Sequence, residues 1–451
     1  MKKLKPVQII LMGFLLIILI GSLLLTLPIA SKSGTATNYV DALFMSTTSV
    51  CVTGLVTVPT VAHWSLFGQI VILLLIQIGG LGVITMVMGF LLILGKRVTM
   101  RERILIQESY GLNEMSGLVK LIARIFQGVL VVEGVGSVAM ATQFVPEFGW
   151  KYGIWASIFN SVSAFCNAGI DIVKLDSMRS YVFNPVINFS IMALITLGGL
   201  GFIVWRDCVH IIKQLWKREI RMKDIFRKLS LHSKIVIFVS MVLVLGGAFL
   251  IFIFEYNNPK TMADYSLWHK IQASLFQSVT TRTAGFESIA QADLSEGSSL
   301  ISMILMFIGG SPVGTAGGVK TITLAIVVCC VIAVVKQEKQ VILFKRGIAQ
   351  SFLPKAITII CVYLTVLLTS ILLILISNDS NFMETCYESI SALATVGLTK
   401  GLTPNLNNIG KIVIICTMYL GRVGPVSLAL GFATRRNKKL AKYPEENITL
   451  G

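Results

Sequence analysis

The chain has 451 residues, of which 55% are hydrophobic and 14% charged, with a mean hydropathy of +0.80 and a formal net charge of +17. That balance excludes an ordinary soluble multidomain protein and places the chain in a membrane. The positive charge does not point to nucleic acid, because 28 of the 39 Lys and Arg fall in five blocks (1–6, 96–124, 206–234, 336–355 and 435–442) and leave 31–65, 145–156 and 378–407 almost free of them.

Apolar runs long enough for a hydrocarbon core of about 30 Å are expected near 7–29, 66–94, 119–143, 185–212, 233–256, 300–334 (interrupted), 355–377 and 408–432. The first is too long for a signal-peptide core and is expected to remain. The basic blocks alternate with these runs as the positive-inside asymmetry requires, which puts both termini and the three long linkers in the cytoplasm and the chain in the cytoplasmic membrane.

A short phrase ending in glycine occurs four times between these runs: SVCVTGL at 49–55, AFCNAGI at 164–170, TTRTAGF at 280–286 and ALATVGL at 392–398. Gly54, Gly169, Gly285 and Gly397 are separated by 115, 116 and 112 residues, and an apolar residue follows each. Copies one, two and four carry an aromatic ten positions before the glycine (Phe44, Phe159, Tyr387) and a serine eight before it (Ser46, Ser161, Ser389). The third copy has this pair one residue closer, at Phe276 and Ser278. One structural unit used four times is the reading: repeats 1–95, 96–213, 214–335 and 336–434, then a tail 435–451.

Each unit has the same order of parts. In the first, a long apolar run is followed by the polar break SKSGTATNYVD, a segment from about Tyr39 to Ser49 too short to cross, the phrase, and a second long run. A short helix that re-enters the membrane leaves backbone unpaired at depth, which is tolerated only where it lines water or is buried in protein. Four such breaks imply one shared aqueous path. Entering from the outer side, the four helices converge their negative dipole ends, which favours a cation. Backbone carbonyls turned inward at glycine can replace the hydration shell of a monovalent cation, and no acid lies in any phrase to build a divalent site.

The second runs contain glycine clusters: IGGLG at 78–82, LGGLG at 197–201, IGGSPVGTAGGVK at 308–320 and LGRVGP at 420–425. The first two read chiefly as close-packing positions. The third cannot continue a helix and is expected to form a loop inside the membrane over 309–318. Arg422 lies at the corresponding depth, as a functional group or as the partner of a buried acid such as Glu133. Arg282 is a cation within the third phrase, and its side chain is expected to point behind the strand into a hydrogen-bonded or acid-paired pocket. The eight cysteines form no C-x-x-C pair and the four histidines lie outside the phrase, so a metal or disulfide framework and an enzyme are disfavoured. No Walker sequence or G-x-G-x-x-G with a downstream acid gives this chain a nucleotide site.

The fourfold helix, pore-loop, helix unit with one glycine per phrase resembles the membrane subunits of the Ktr/Trk/HKT superfamily of potassium transporters, and the eight-span length resembles the Ktr branch. The resemblance covers essentially the whole chain and implies an all-α membrane fold, with four units in pseudo-fourfold arrangement around one pore. It implies a potassium filter from Val52, Thr53 and Gly54, Asn167, Ala168 and Gly169, Thr283, Ala284 and Gly285, and Thr395, Val396 and Gly397. Gly54, where sodium-selective relatives have serine, implies potassium. It also implies an intramembrane gate of Gly309, Gly310, Ser311, Pro312, Gly314, Thr315, Gly317 and Gly318 facing Arg422, a homodimer, activation by sodium, and a cytoplasmic RCK-type nucleotide-binding ring as regulator. For that ring the linkers, the stretch 336–346 and the tail 435–451 are the available surfaces. A secondary cation transporter with alternating access is the alternative; it predicts inverted repeats and charged midplane residues.

Overall fold

The computed structural model describes residues 6–93, 99–100, 103–104, 117–338 and 340–424. The tail 435–451, the end of the fourth repeat from Pro425 and most of the linker 94–116 lie outside the described residues.

The first unit opens with α1 (Pro6–Thr26), which carries no charged residue over 21 positions. At 1.5 Å per residue it covers about 30 Å, the depth of a bilayer core. The short α2 (Tyr39–Cys51) begins where the Asn38 side chain accepts from the Val40 amide and is buried along most of its length. Then come α3 (Leu66–Leu81) and α4 (Val83–Ile93). The second unit repeats this order with α5 (Leu118–Phe148), the buried α6 (Trp150–Cys166), α7 (Pro185–Leu200) and α8 (Phe202–Trp216). In the third, α9 (Leu231–Glu255) and α10 (Leu267–Thr280) lead to α11 (Glu296–Phe307) and α12 (Thr321–Val335), separated by the non-helical stretch 308–320. The fourth has α13 (Phe352–Ser377), α14 (Phe382–Ala394) and α15 (Asn408–Val423).

Burial separates two classes of helix. The long first helices leave residues such as Leu16, Leu23, Val242, Leu245, Leu368 and Leu372 exposed, an outer surface suited to lipid and unsuited to water. The short helices α2, α6, α10 and α14 are enclosed and bury Phe44, Phe159, Phe276 and Tyr387, the aromatic of each repeat. A serine two positions after that aromatic ties three of them outward. Ser46 donates to the Ile18 carbonyl (2.7 Å), Ser161 to that of Glu133 (2.6 Å) and Ser278 to that of Val244 (2.7 Å). Ser389, in the fourth unit, has no protein partner among the described residues.

The second runs are less continuous than expected. Among the described residues three helices (α1, α9 and α13) are long and apolar enough to cross a membrane, and α7 with α8 forms a fourth candidate bent by 102°. The expected spans 66–94 and 185–212 break at Gly82 (φ +83°) and Gly201 (φ +85°), and α15 stops at Gly424 (φ +87°). These left-handed conformations are open chiefly to glycine. The close-packing reading holds three residues earlier. A Cβ on Gly79, Gly198 or Gly421 would lie 2.0 Å from the carbonyl oxygen of Val50, Phe165 or Leu393, each near the end of a short helix. The clusters thus pack with their first glycine and break with their last.

The only strands described are Ile342–Leu343 and Arg346–Gly347, a small antiparallel hairpin in the linker before α13. Its Phe344 packs against Phe226 and Phe238, with ring centroids 5.6 and 5.9 Å apart. Units one and four meet directly: Lys411 pairs with Asp41 at 2.7 Å, and the Tyr419 hydroxyl donates to the Leu11 carbonyl at 2.9 Å.

Candidate functional site

The four glycines of the phrase converge in cyclic order. A Cβ on Gly54 would lie 2.5 Å from the Ala168 carbonyl oxygen, one on Gly169 2.5 Å from that of Ala284, one on Gly285 2.4 Å from that of Val396, and one on Gly397 2.2 Å from that of Thr53. In every case the oxygen belongs to the residue just before the next unit's glycine, so the four segments close into a ring. All four glycines have positive φ (+100°, +65°, +83° and +96°), so a side chain would clash and also strain the backbone. Two positions before each glycine the chain turns through a left-handed residue: Val52, Asn167, Thr283 and Thr395. No strand is extended throughout, because this turn reverses the chain off the end of its helix. The Gly54 amide is held by Thr48 Oγ1 (2.9 Å) and the Gly397 amide by Ser391 Oγ (3.0 Å).

Around the ring the side chains of the four phrases are neutral, with one exception. Buried polar atoms of Thr53, Asn167, Thr283 and Thr395 have no protein partner among the described residues. Three short helices end three residues from their glycine, while α10 ends at Thr280, five before Gly285. In units one, two and four the amide before the glycine bonds a carbonyl five residues back (Thr53 to Thr48, Ala168 to Ser163, Val396 to Ser391); in unit three Ala284 bonds Thr280, four back. The missing residue between Ser278 and Gly285 is absorbed in that turn. The exception is Arg282, which points behind the strand as expected. Its partners are carbonyls and not an acid: Ser240 of α9 at 3.3 Å and Gly309 at 3.0 Å.

The stretch 308–320 lies against the C-terminal ends of the short helices α6 and α14. Ile308 and Val319 bridge at its base, with Val319 donating to Phe307 (3.1 Å) and Thr321 to Gly310 (3.1 Å). From there the loop is fastened to α7: the amides of Ser311 and Thr315 donate to Gly199 (3.0 Å) and Gly198 (3.2 Å), and Phe202 donates back to Val313 (3.1 Å). Ser311 Oγ also reaches the Gly199 carbonyl (2.9 Å), and Thr315 Oγ1 the Phe165 carbonyl at the end of α6 (3.1 Å). Pro312 and Gly314 lie beside Gly201, and Gly317 is so close to Thr395 that a Cβ would meet Thr395 Oγ1 at 2.1 Å. Gly318 turns the chain back at φ +67°.

Arg422 closes this arrangement from α15. Its guanidinium donates to the Thr315 carbonyl on the loop and to the carbonyls of Gly79 (2.5 Å) and Gly80 (3.2 Å) on α3. It therefore bridges units one, three and four. Glu133 is not its partner; that carboxylate takes a hydrogen bond from Gln77 (3.3 Å). Placing Arg422 on three carbonyls lets a buried charge persist without a carboxylate.

Acids flank the ring after its glycines. Asp171 accepts from Ser177 (2.7 Å), and burial pushes its carboxyl up to about 7; Glu287 pairs with Arg179 (2.5 Å). Sequence reasoning missed Glu388, whose carboxylate receives the hydroxyls of Thr399 (2.7 Å) and Thr403 and so pins the stretch after Gly397. An acid within a short, enclosed helix was the available signal.

Residues 4–443 match the family model of the TrkH cation transport proteins. The chain belongs to this family. Similar proteins include the potassium/sodium uptake protein NtpJ of Enterococcus hirae, 41% identical over 100% of this chain and 98% of that protein. The Ktr system potassium uptake protein B of Vibrio alginolyticus is 37% identical (98% and 94% covered), and that of Bacillus subtilis 35% (99% and 97%). The fold matches the crystal structure of the potassium transporter TrkH from Vibrio parahaemolyticus with a TM-score of 0.74 at 16% identity, over 96% of this chain and 86% of that one. This TrkH-family chain is thus a multi-pass membrane protein of a transporter family, not an enzyme.

Proposed function

We propose that the chain is the membrane pathway for potassium uptake across the cytoplasmic membrane, channel-like in architecture, with eight spans around one pore and both termini inside. The observation that carries this reading is the closed ring in which each glycine abuts the carbonyl preceding the next. Four carbonyl-bearing strands around one axis, with no acid in any of them, suit a dehydrated monovalent cation. Beside the ring, Thr53, Asn167 and Thr283 carry buried polar side-chain atoms without a protein partner among the described residues, in keeping with a polar surround for an ion. Full-length relatives named as potassium uptake proteins support the choice of ion. One of them is named for sodium as well.

The loop 309–318, lying against the ring and held by Arg422, is the gate in this reading. Arg422 stabilises the closed seat, and a cytoplasmic nucleotide-binding ring acting on a homodimer releases it; sodium promotes the active state. The hairpin at 342–347 and the neighbouring 225–228 turn, joined by Phe344 and Phe226, offer a combined surface for that regulator. The deciding experiment is rescue of potassium-limited growth and of rubidium influx in cells lacking other uptake systems. An inserted protein that rescues neither removes the reading.

A further inference from the structure

Arg422 has a place in the proposed gate; Arg282 has none. Arg282 is 8% exposed, sits three residues before a ring glycine, and places one guanidinium on two separate pieces of backbone. Ser240 belongs to α9, a long outer helix. Gly309 is the first glycine of the loop and lies just past the end of α11, where the helix dipole favours a cation. A planar fork can hold two carbonyls at once; a lysine ammonium reaches such a pair less well.

The two ends of the loop are fastened differently from its middle. The base is closed by Val319 to Phe307, Thr321 to Gly310 and Arg282 to Gly309, all within unit three. The middle is fastened to other units, through Gly198, Gly199 and Arg422, and to the base by one bond, from Lys320 Nζ to the Ala316 carbonyl (2.6 Å). Release of the middle therefore breaks one side-chain bond to the base, Lys320 to Ala316, and leaves the Val319, Thr321 and Arg282 bonds in place.

Resting on the filter and gate reading above, we propose that Arg282 is a positioning residue that clamps the loop's first glycine and the third ring strand to α9. It makes the base a fixed hinge, so that residues 311–317 swing away without distorting the ring. Arg422 is the latch of this flap and Arg282 its insulator.

The test is a double-mutant comparison in proteoliposomes, reading rubidium and sodium flux. R422A alone should raise flux and keep the wild-type rubidium-to-sodium ratio. R282K with R422A, and R282Q with R422A, should also conduct, but with that ratio reduced about tenfold, the equivalent of about 1.4 kcal/mol. Gly54→Ser serves as the control for the ring: if it leaves the ratio unchanged, the filter reading has failed rather than the hinge. If Gly54→Ser lowers the ratio and the Arg282 double variants do not, the hinge is overturned. Should the Arg282 variants fail to insert, hydrogen exchange in R422A decides. The Ser311 and Thr315 amides should lose protection while those of Val319 and Thr321 keep it, and equal loosening of all four overturns the proposal.

Discussion

The ring and the layer against which the loop lies are built from the same four units and treat symmetry in opposite ways. At the ring, each glycine meets the carbonyl before the next, and three serines of equivalent position anchor the short helices to the long ones. In the adjoining layer the units diverge: glycines break the helix after α3 and α7, thirteen non-helical residues replace it in unit three, and unit four contributes Arg422. A dehydrated cation needs equal oxygens on all sides, which repetition supplies. A gate needs something that can be in or out of the path, and four identical obstacles would have to move together. The repeat is kept where coordination is proposed and abandoned where movement is proposed.

Breaking the symmetric layer should have the largest effect. Gly54→Ser puts a side chain 2.5 Å from the Ala168 carbonyl at φ +100°; potassium affinity in uptake should fall by about tenfold or more and sodium rejection should weaken. Rubidium influx with sodium competition measures both, and unchanged values would take Gly54 out of the site. Next comes the asymmetric layer. Arg422→Ala, or removal of part of 311–317, deletes contacts that, in the proposed gate, bias two states separated by a few kcal/mol. Regulator-free flux should rise several-fold with selectivity near normal, and a fall in flux in both correctly inserted variants would make the loop purely structural.

Smaller effects sharpen the same contrast. Ser46→Ala, Ser161→Ala and Ser278→Ala should each cost about 1 kcal/mol, seen as lower melting temperatures in detergent, while Ser389→Ala should cost little because its hydroxyl has no protein partner among the described residues. Four equal losses would mean that the fourth unit is anchored like the others. The smallest change in the isolated protein belongs to the hairpin: Lys345→Glu with Arg346→Glu should leave basal flux intact and weaken control by the cytoplasmic regulator. Normal regulator co-purification and nucleotide response would exclude that surface.

The ring was legible because its requirement is written in residue type. Glycine at the end of a short apolar segment, four times at one spacing, is hard to reconcile with chance or with simple turns, and the loop in unit three announces itself by proline and five glycines. The breaks at Gly82 and Gly201 were not legible. Gly79 and Gly82 are the same residue in the same cluster, and only the backbone angle separates the one that packs from the one that bends. Arg282 and Arg422 were visible as charges, but their partners are main-chain carbonyls, which every residue carries. Searching for an acid therefore led to Glu133, which is bound to Gln77 instead. The slipped spacing in the third phrase was legible as an irregularity, whereas its absorption in the Thr280 to Ala284 turn required the fold.

The seam between the first and last units has a consequence for biosynthesis. Lys411 to Asp41, Tyr419 to Leu11 and Gly397 against Thr53 join stretches from opposite ends of the chain. The ring therefore has one side missing until the ribosome has delivered the final quarter, and this closure is among the most non-local contacts the polypeptide makes. A nascent or truncated chain ending before residue 397 holds only three of the four segments, so the ring is completed in one late step, when the last helices arrive.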